Sequence, residues 1–159
     1  MPTTFAACPT EIVEAPIEVV WNLLTNFARW GDFYDVRVIG VEPPGPAVVG
    51  QRMLGESGPR WLHLGVSFEF VLIDEPHHKL EIDVKLPLAL NVHEELDCVP
   101  LTAERCRVNY HCNFGIPDGW RGALIRTILG RELTSGPADS IHRLKRSAEQ
   151  AYRKRQSAT

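Results

Sequence analysis

The middle of the chain alternates between apolar and polar residues, which predicts a run of β-strands. Successive side chains of a strand point to opposite faces, so an alternating run buries one face and exposes the other to water. Turn residues at 74–76 and 100–103 separate the runs. Four such strands joined by short turns predict an antiparallel meander with one solvated face. The predicted inward residues are Leu62, Leu64, Val66, Phe68, Phe70 and Leu72, then Leu80, Ile82, Val84 and Leu86, then Leu90, Val92, Leu96 and Cys98, then Cys106, Val108, Tyr110, Cys112 and Phe114.

The residues before this meander predict a strand followed by two short helices. Residues 10–14 are typical of a strand, and Pro16 suits the first position of a helix because it lacks only a donor that would be unpaired there. An apolar stripe at helical spacing then runs from Ile17 to Leu24. The aromatic-rich residues 27–34 predict a second short helix that leads into a loop. Extended segments at 36–42 and 50–56 add two more strands.

The C-terminal third of the chain has helical periodicity. Trp120, Leu124 and Ile128 form one apolar stripe that we expect in the core, and a second stripe runs from Ile141 to Tyr152. Gly136-Pro137 lies between them. Because a residue that precedes proline avoids the α region, we expect the helix to be kinked or broken there.

These elements predict an α+β fold in which a curved antiparallel sheet of six or seven strands wraps around a long C-terminal helix. Helices and sheets each bury one apolar face against the other. A single helix is only about 10–12 Å wide with its side chains. The sheet therefore presents more apolar surface than the helix covers, and we expect the remaining space to be a ligand cavity.

Composition narrows the class of protein. A length of 159 residues fits one domain, with a core at about residues 5–153, and the formal charge of −3 argues against nucleic acid as a partner. The sequence has no secretory leader and no apolar run long enough for membrane insertion, so we expect a cytoplasmic protein. The four cysteines lack Cys-x-x-Cys spacing and the histidines are scattered, so we expect reduced thiols and neither a metal nor another cofactor. The oligomeric state is left open.

Two segments resemble a known superfamily. Residues 13–24, with the sequence VEAPIEVVWNLL, and the following Phe27-Ala28-Arg29-Trp30 resemble the opening of START-like proteins, also called SRPBCC or helix-grip proteins. Residues 141–149, with the sequence IHRLKRSAE, resemble the closing helix of the polyketide cyclase/dehydrase branch. The resemblance covers nearly the whole chain and implies a helix-grip fold with a cavity under the C-terminal helix. The superfamily includes lipid carriers, hormone binders and cyclases, so the resemblance does not imply a particular chemistry.

Glu94 is the most informative candidate residue, because it interrupts an otherwise apolar inward set. A buried carboxylate is costly unless it is neutral, paired or functional. If the hairpin is centred near Thr102, Glu94 stands opposite Tyr110, and the two could anchor a ligand oxygen or transfer protons. The alternative is a β-bulge near residues 94–95 that returns the carboxylate to solvent. The same register places Cys98 opposite Cys106.

Three functions fit these observations. The first is binding of a small hydrophobic molecule, such as a lipid, a polyketide or another aromatic or isoprenoid metabolite. The second is a polyketide cyclase or dehydratase that uses Glu94 and Tyr110 for proton transfer. The third is a protein-interaction module. The residues predicted to line the ligand cavity are Met53, Phe68, Phe70, Val92, Glu94, Tyr110, Leu124 and Ile128.

Overall fold

A computed structural model of the protein describes residues 3–58 and 63–158, and the predicted inward residue Leu62 lies outside this part of the chain. The described residues form eight strands, two α-helices and two short 3-10 helices. The strands are β1 (Thr3–Ala7), β2 (Thr10–Val13), β3 (Arg37–Glu42), β4 (Arg52–Ser57), β5 (Leu64–Asp74), β6 (Lys79–Lys85), β7 (Asn91–Thr102) and β8 (Arg105–Ile116). The helices are α1 (Ile17–Leu24) and α2 (Trp120–Ser157), and the 3-10 helices span Phe27–Asp32 and Pro87–Ala89.

The strands form one antiparallel sheet in the order β1-β8-β7-β6-β5-β4-β3. β2 also pairs with β8, so β1 and β2 are two parts of one edge strand, interrupted at Cys8–Pro9. The sequence predicted six or seven strands because residues 3–7 contain too little apolar alternation to indicate β1. The long C-terminal helix packs against β2, β8 and α1, which confirms the predicted helix-grip α+β fold.

The inner face of the sheet agrees with the predicted alternation over most of its length. The inward residues of β6, β7 and β8 are buried, with Leu86 at the end of β6 only partly so. Leu72 in β5 is an exception, since it is exposed and Ile73 packs against the core instead. The pairing between β5 and β6 shifts between Phe70 and Leu72, and this irregularity reverses the direction of the side chains that follow.

The two elements after β2 confirm the predicted pair of short helices. α1 begins directly after Pro16 and ends before Thr25. The 3-10 helix Phe27–Asp32 buries Phe27 and Trp30, and the Trp30 indole donates a hydrogen bond to the Leu24 carbonyl at 3.1 Å. Their aromatic rings fill space above the inner face of the sheet.

α2 is continuous through Pro137, so the predicted alternative of a break is wrong, and the alternative of a kink stays a prediction. The prediction that Trp120, Leu124 and Ile128 pack in the core is also wrong, because their exposed fractions are 70%, 36% and 52%. Because the helix is unbroken, the side of α2 that faces the core in its C-terminal half determines which side faces the core in its N-terminal half. The row facing the core is therefore Ile125, Leu129, Leu133, Pro137, Ile141, Leu144 and Ala148.

Candidate functional site

Glu94 lies on the inner face of β7 and is 5% exposed. The register of β7 with β8 is continuous from Asn91 to Pro100, and its register with β6 is continuous from Asp97 to Asn91. The alternative of a bulge at residues 94–95 therefore does not hold. The inward direction of Glu94 follows from strict alternation along β7.

The predicted pairing of Glu94 with Tyr110 is wrong by two residues. Glu94 pairs with Cys112, and Tyr110 pairs with Leu96. The observed pairs from Asn91 to Pro100 centre on Ala103, one position after the predicted centre. β7 and β8 extend to Thr102 and Arg105 and leave a two-residue turn, and the pairing shifts by one residue between Pro100 and Thr102.

Displacing the centre of a hairpin by one residue moves each partner by two residues, which preserves the face on which it lies. Tyr110 is therefore a diagonal neighbour of Glu94 on the inner face and is itself buried. The same displacement places Cys98 opposite Val108, so the predicted pairing of Cys98 with Cys106 is also wrong.

Tyr34 completes the cluster, and the sequence analysis did not identify it. Its hydroxyl donates a hydrogen bond to Glu94 Oε2 at 2.5 Å and is also hydrogen-bonded to the Tyr110 hydroxyl. The backbone of Tyr34 is held by a hydrogen bond from its N–H to the Trp30 carbonyl at 2.8 Å, and its ring stacks on the Trp30 ring with centroids 4.9 Å apart. The aromatic-rich residues 27–34 were the available signal. Because these residues are far from Glu94 in the sequence, their pattern did not indicate that Tyr34 contacts Glu94.

Burial controls the protonation of this cluster. It raises the pKa of Glu94 to about 7, although hydrogen bonds from Tyr34 and Tyr110 act in the opposite direction. Burial and the nearby Glu94 carboxylate raise the pKa of both tyrosines well above the ordinary phenol value. At neutral pH the site therefore holds two neutral phenols beside a carboxyl group that can gain or lose a proton.

A cavity of about 360 Å³ lies next to Tyr34, at the end of the sheet where β4 ends and β5 begins. Arg37 of β3 forms an ion pair with Glu56 at its wall, and His63 lies 3.4 Å from the same carboxylate. α2 contributes Arg143. The described residues around this cavity are Gly31, Tyr34, Asp35, Val36, Arg37, Glu56, Ser57, Gly58, His63 and Arg143. A larger hollow of about 510 Å³ is surrounded, among the described residues, only by side chains within residues 150–158 at the end of α2, so it is a groove on the surface of that helix.

The structure brings six of the eight predicted site residues together on the inner face of the sheet. They are Met53, Phe68, Phe70, Val92, Glu94 and Tyr110, and all six are buried. The other two, Leu124 and Ile128, lie on the exposed side of α2.

The protein's own rings occupy part of the predicted ligand space. Phe27 stacks on Phe70 with centroids 3.6 Å apart, and Trp30 and Tyr34 each meet Phe68 edge-on at 5.5 Å. Of the described side chains around the cavity beside Tyr34, none belongs to the predicted eight. Tyr34 connects that cavity to Glu94.

The chain matches the family described as "Polyketide cyclase / dehydrase and lipid transport" over residues 9–149. It belongs to this family. Comparison with curated protein sequences gives no match.

Solved structures show the same fold. The Zhui aromatase/cyclase from Streptomyces sp. R1128 has a TM-score of 0.72 at 14% identity, over 93% of this chain and 95% of that chain. A point mutant of norcoclaurine synthase from Thalictrum flavum, in complex with a transition state analogue, has a TM-score of 0.69 at 15% identity, over 95% of this chain and 98% of that chain. A conserved protein from Geobacillus kaustophilus has a TM-score of 0.67 at 15% identity, over 93% and 97% of the two chains.

Two further observations concern residues 3–58 and 63–158. Within these ranges no group of three or more His, Cys, Asp or Glu side chains is arranged to hold a metal ion. No helix formed by these residues combines the length and the apolar character needed to cross a bilayer.

Proposed function

We propose that the protein binds a small, largely apolar metabolite that carries a carbonyl or hydroxyl oxygen. The observation that carries this proposal is the buried Tyr34–Glu94–Tyr110 cluster on an otherwise apolar sheet face. Burying three polar side chains is costly even when they are hydrogen-bonded, and an apolar packing could replace them without that cost. A function for the cluster explains its presence.

The cavity beside Tyr34 gives a ligand access to this cluster. Its volume of about 360 Å³ falls within the roughly 300–1,000 Å³ of small-molecule sites. Tyr34 is half-buried and borders the cavity, whereas Glu94 and Tyr110 are not among the described residues around it. A ligand oxygen would therefore hydrogen-bond first to the Tyr34 hydroxyl.

The apolar part of the ligand would lie against the inner face of the sheet. We propose Met53, Phe68, Phe70 and Val92 as this apolar wall, because they share the inner face of the sheet with Glu94. Val92 lies on the same strand as Glu94, and the other three lie on β4 and β5. The ring of Phe27 stacks on Phe70, so a ligand larger than the cavity would have to displace the 3-10 helix that carries Phe27. Contact of Leu124 and Ile128 with a ligand stays a prediction.

The test compares Tyr34→Phe with Tyr152→Phe by native and denaturing mass spectrometry of protein purified from its own host, followed by solvent extraction. Both changes remove one hydroxyl, and the Tyr152 hydroxyl donates a hydrogen bond to Glu104 and is not among the described groups around the cavity. We expect the wild type and Tyr152→Phe to carry a metabolite and Tyr34→Phe to lose most of it. Equal occupancy in both variants, or an empty wild-type protein that also gains no mass from a host extract, would contradict the proposal.

A second candidate function is proton transfer on the bound metabolite, of the cyclase or dehydratase type. The pKa of about 7 for Glu94 favours it, because a general acid or base works best when its pKa lies near the working pH. Two of the similar structures are named as a synthase and an aromatase/cyclase, although at 14–15% identity they are evidence for the fold alone.

Glu94→Gln distinguishes the two candidates. If Glu94 transfers protons, the variant should bind the metabolite but retain an unreacted form. For a dehydration, the unreacted form would be heavier than the compound from the wild type by the mass of one water. For a cyclisation, the two compounds would have equal mass and different fragmentation. Release of the same compound from Glu94→Gln and from the wild type would exclude the enzymatic candidate and leave binding in place.

A further inference from the structure

Cys8 lies beside a histidine and an asparagine on the outer face of the sheet. It is exposed at the interruption between β1 and β2. Its Sγ atom lies 3.0 Å from Nδ1 of His111 on β8, and Nε2 of the same ring lies 3.2 Å from Oδ1 of Asn113. The three side chains therefore form a line from sulfur to imidazole to amide.

This order of groups is suited to a nucleophilic thiol. A nucleophile and a base in hydrogen-bond reach, with the base oriented by a third group, are the recurring signature of an activated nucleophile. The Asn113 oxygen is an acceptor, so it favours the tautomer of His111 that carries its proton on Nε2. Nδ1 is then free to accept the proton of the Cys8 thiol.

The other three cysteines lack this setting. Cys98, Cys106 and Cys112 are buried on the inner face. Burial raises the pKa of the Cys106 thiol to about 11 and raises the pKa of Cys98 and Cys112 further. Because the thiolate is the reactive form, these thiols are inert and any fast thiol chemistry is confined to Cys8.

The site is separate from the Glu94 cluster. His111 and Asn113 alternate along β8 with the inward residues Tyr110 and Cys112, so they lie on the opposite face of the sheet. Changes at Cys8 therefore test this site without altering the proposed ligand anchor.

We propose that Cys8 is a site of thiol–disulfide exchange with small disulfides, in which His111 is the base and Asn113 positions His111. In this reaction the His111 Nδ1 atom takes the Cys8 proton and the sulfur attacks one sulfur of the disulfide. A bond forms between Cys8 and that sulfur while the disulfide bond breaks. The second sulfur leaves as a thiolate, and His111 passes its proton to that thiolate or, where the thiolate is a weak base, to water, so Cys8 is oxidised and the small disulfide is reduced.

The experiment measures the reaction of the full chain with dithiobis(nitrobenzoic acid), whose released thiolate absorbs visible light. We expect one fast equivalent per chain in the wild type and none in Cys8→Ser. His111→Gln should lower the rate of the fast phase by at least about tenfold. This is a modest part of the roughly 10²–10⁴-fold rate enhancement that a positioned base contributes in enzymes. The matched control is His77→Gln, which changes an exposed histidine in the β5–β6 turn and should react like the wild type.

Two Asn113 variants separate positioning from general disruption. Asn113→Asp keeps an oxygen acceptor for His111 and should retain the fast phase, whereas Asn113→Ala should lose much of it. Circular dichroism of each variant establishes that the fold is retained. A fast phase that persists in Cys8→Ser, or equal rates in His111→Gln, His77→Gln and the wild type, would overturn the proposal.

Discussion

Replacing Glu94 by glutamine should change how the stability of the protein depends on pH. The pKa of Glu94 is about 7 in the folded protein, against an ordinary value of 4.5 that we take for the unfolded chain. Between these two pH values the unfolded chain has lost the proton that the folded protein retains. The unfolded state then binds fewer protons, so the free energy of unfolding falls as the pH rises.

The size of this effect follows from the two pKa values. Each tenfold change in an acid dissociation constant is worth about 1.4 kcal/mol, so the interval from 4.5 to about 7 corresponds to about 3 kcal/mol. This contribution is fully present below pH 4.5 and is lost by the time the pH has risen through about 7. Glu94→Gln has no proton to lose. Its stability relative to the wild type should therefore rise by about 3 kcal/mol over that range.

Urea denaturation at intervals between about pH 4 and about pH 8 measures this difference, with the fluorescence of the buried Trp21 and Trp30 as the signal. Glu95→Gln is the matched control, because it removes the same charge from the next residue, whose side chain is 39% exposed. We expect its curve to follow that of the wild type. If the curves of Glu94→Gln and the wild type stay parallel across the range, the reasoning on Glu94 burial is refuted.

Two further predictions concern the scaffold. An alanine Cβ at Gly122 would lie 2.1 Å from the Pro117 carbonyl oxygen, whereas one at Gly130 would have no atom within 4 Å. Thermal unfolding should therefore show that Gly122→Ala lowers the free energy of unfolding by about 1–3 kcal/mol and that Gly130→Ala raises it by up to about 1 kcal/mol. The opposite order of stabilities would contradict the described packing. The buried Gln51 amide donates to the backbone carbonyls of Pro43, Gly45 and Pro46. Gln51→Leu should lower the free energy of unfolding measured by urea denaturation by about 1–3 kcal/mol. An unchanged midpoint would show that these hydrogen bonds do not stabilise the protein.

The sequence predicted the parts of the fold that depend on local periodicity. Alternation identified the inward residues of β6, β7 and β8, and Pro16 marked the start of α1. The buried side of α2 could not be predicted from its N-terminal half. It is set by the packing of the C-terminal half, and the helix continues unbroken through Pro137. Register likewise depends on where a turn closes, and a displacement of one residue was enough to change the partner of Glu94.

The candidate site was predictable only in part. The alternation of side chains along β7 identified Glu94 as an inward residue. The alternation along β8 placed Tyr110 on the same face, although the predicted register was wrong. Tyr34 was not predictable in this way. Its position depends on how the 3-10 helix Phe27–Asp32 folds back over the sheet, which is a tertiary contact without a periodic signal.

The interruption at Cys8–Pro9 also affects how the sheet meets other chains. Exposed backbone groups along a long, regular edge strand can pair with another chain and lead to aggregation. At one edge β1 and β2 offer five and four residues on either side of the interruption. At the other edge the pairing of β3 shifts between Val38 and Gly40, within a strand of six residues. Both edges are therefore poor templates for an added strand.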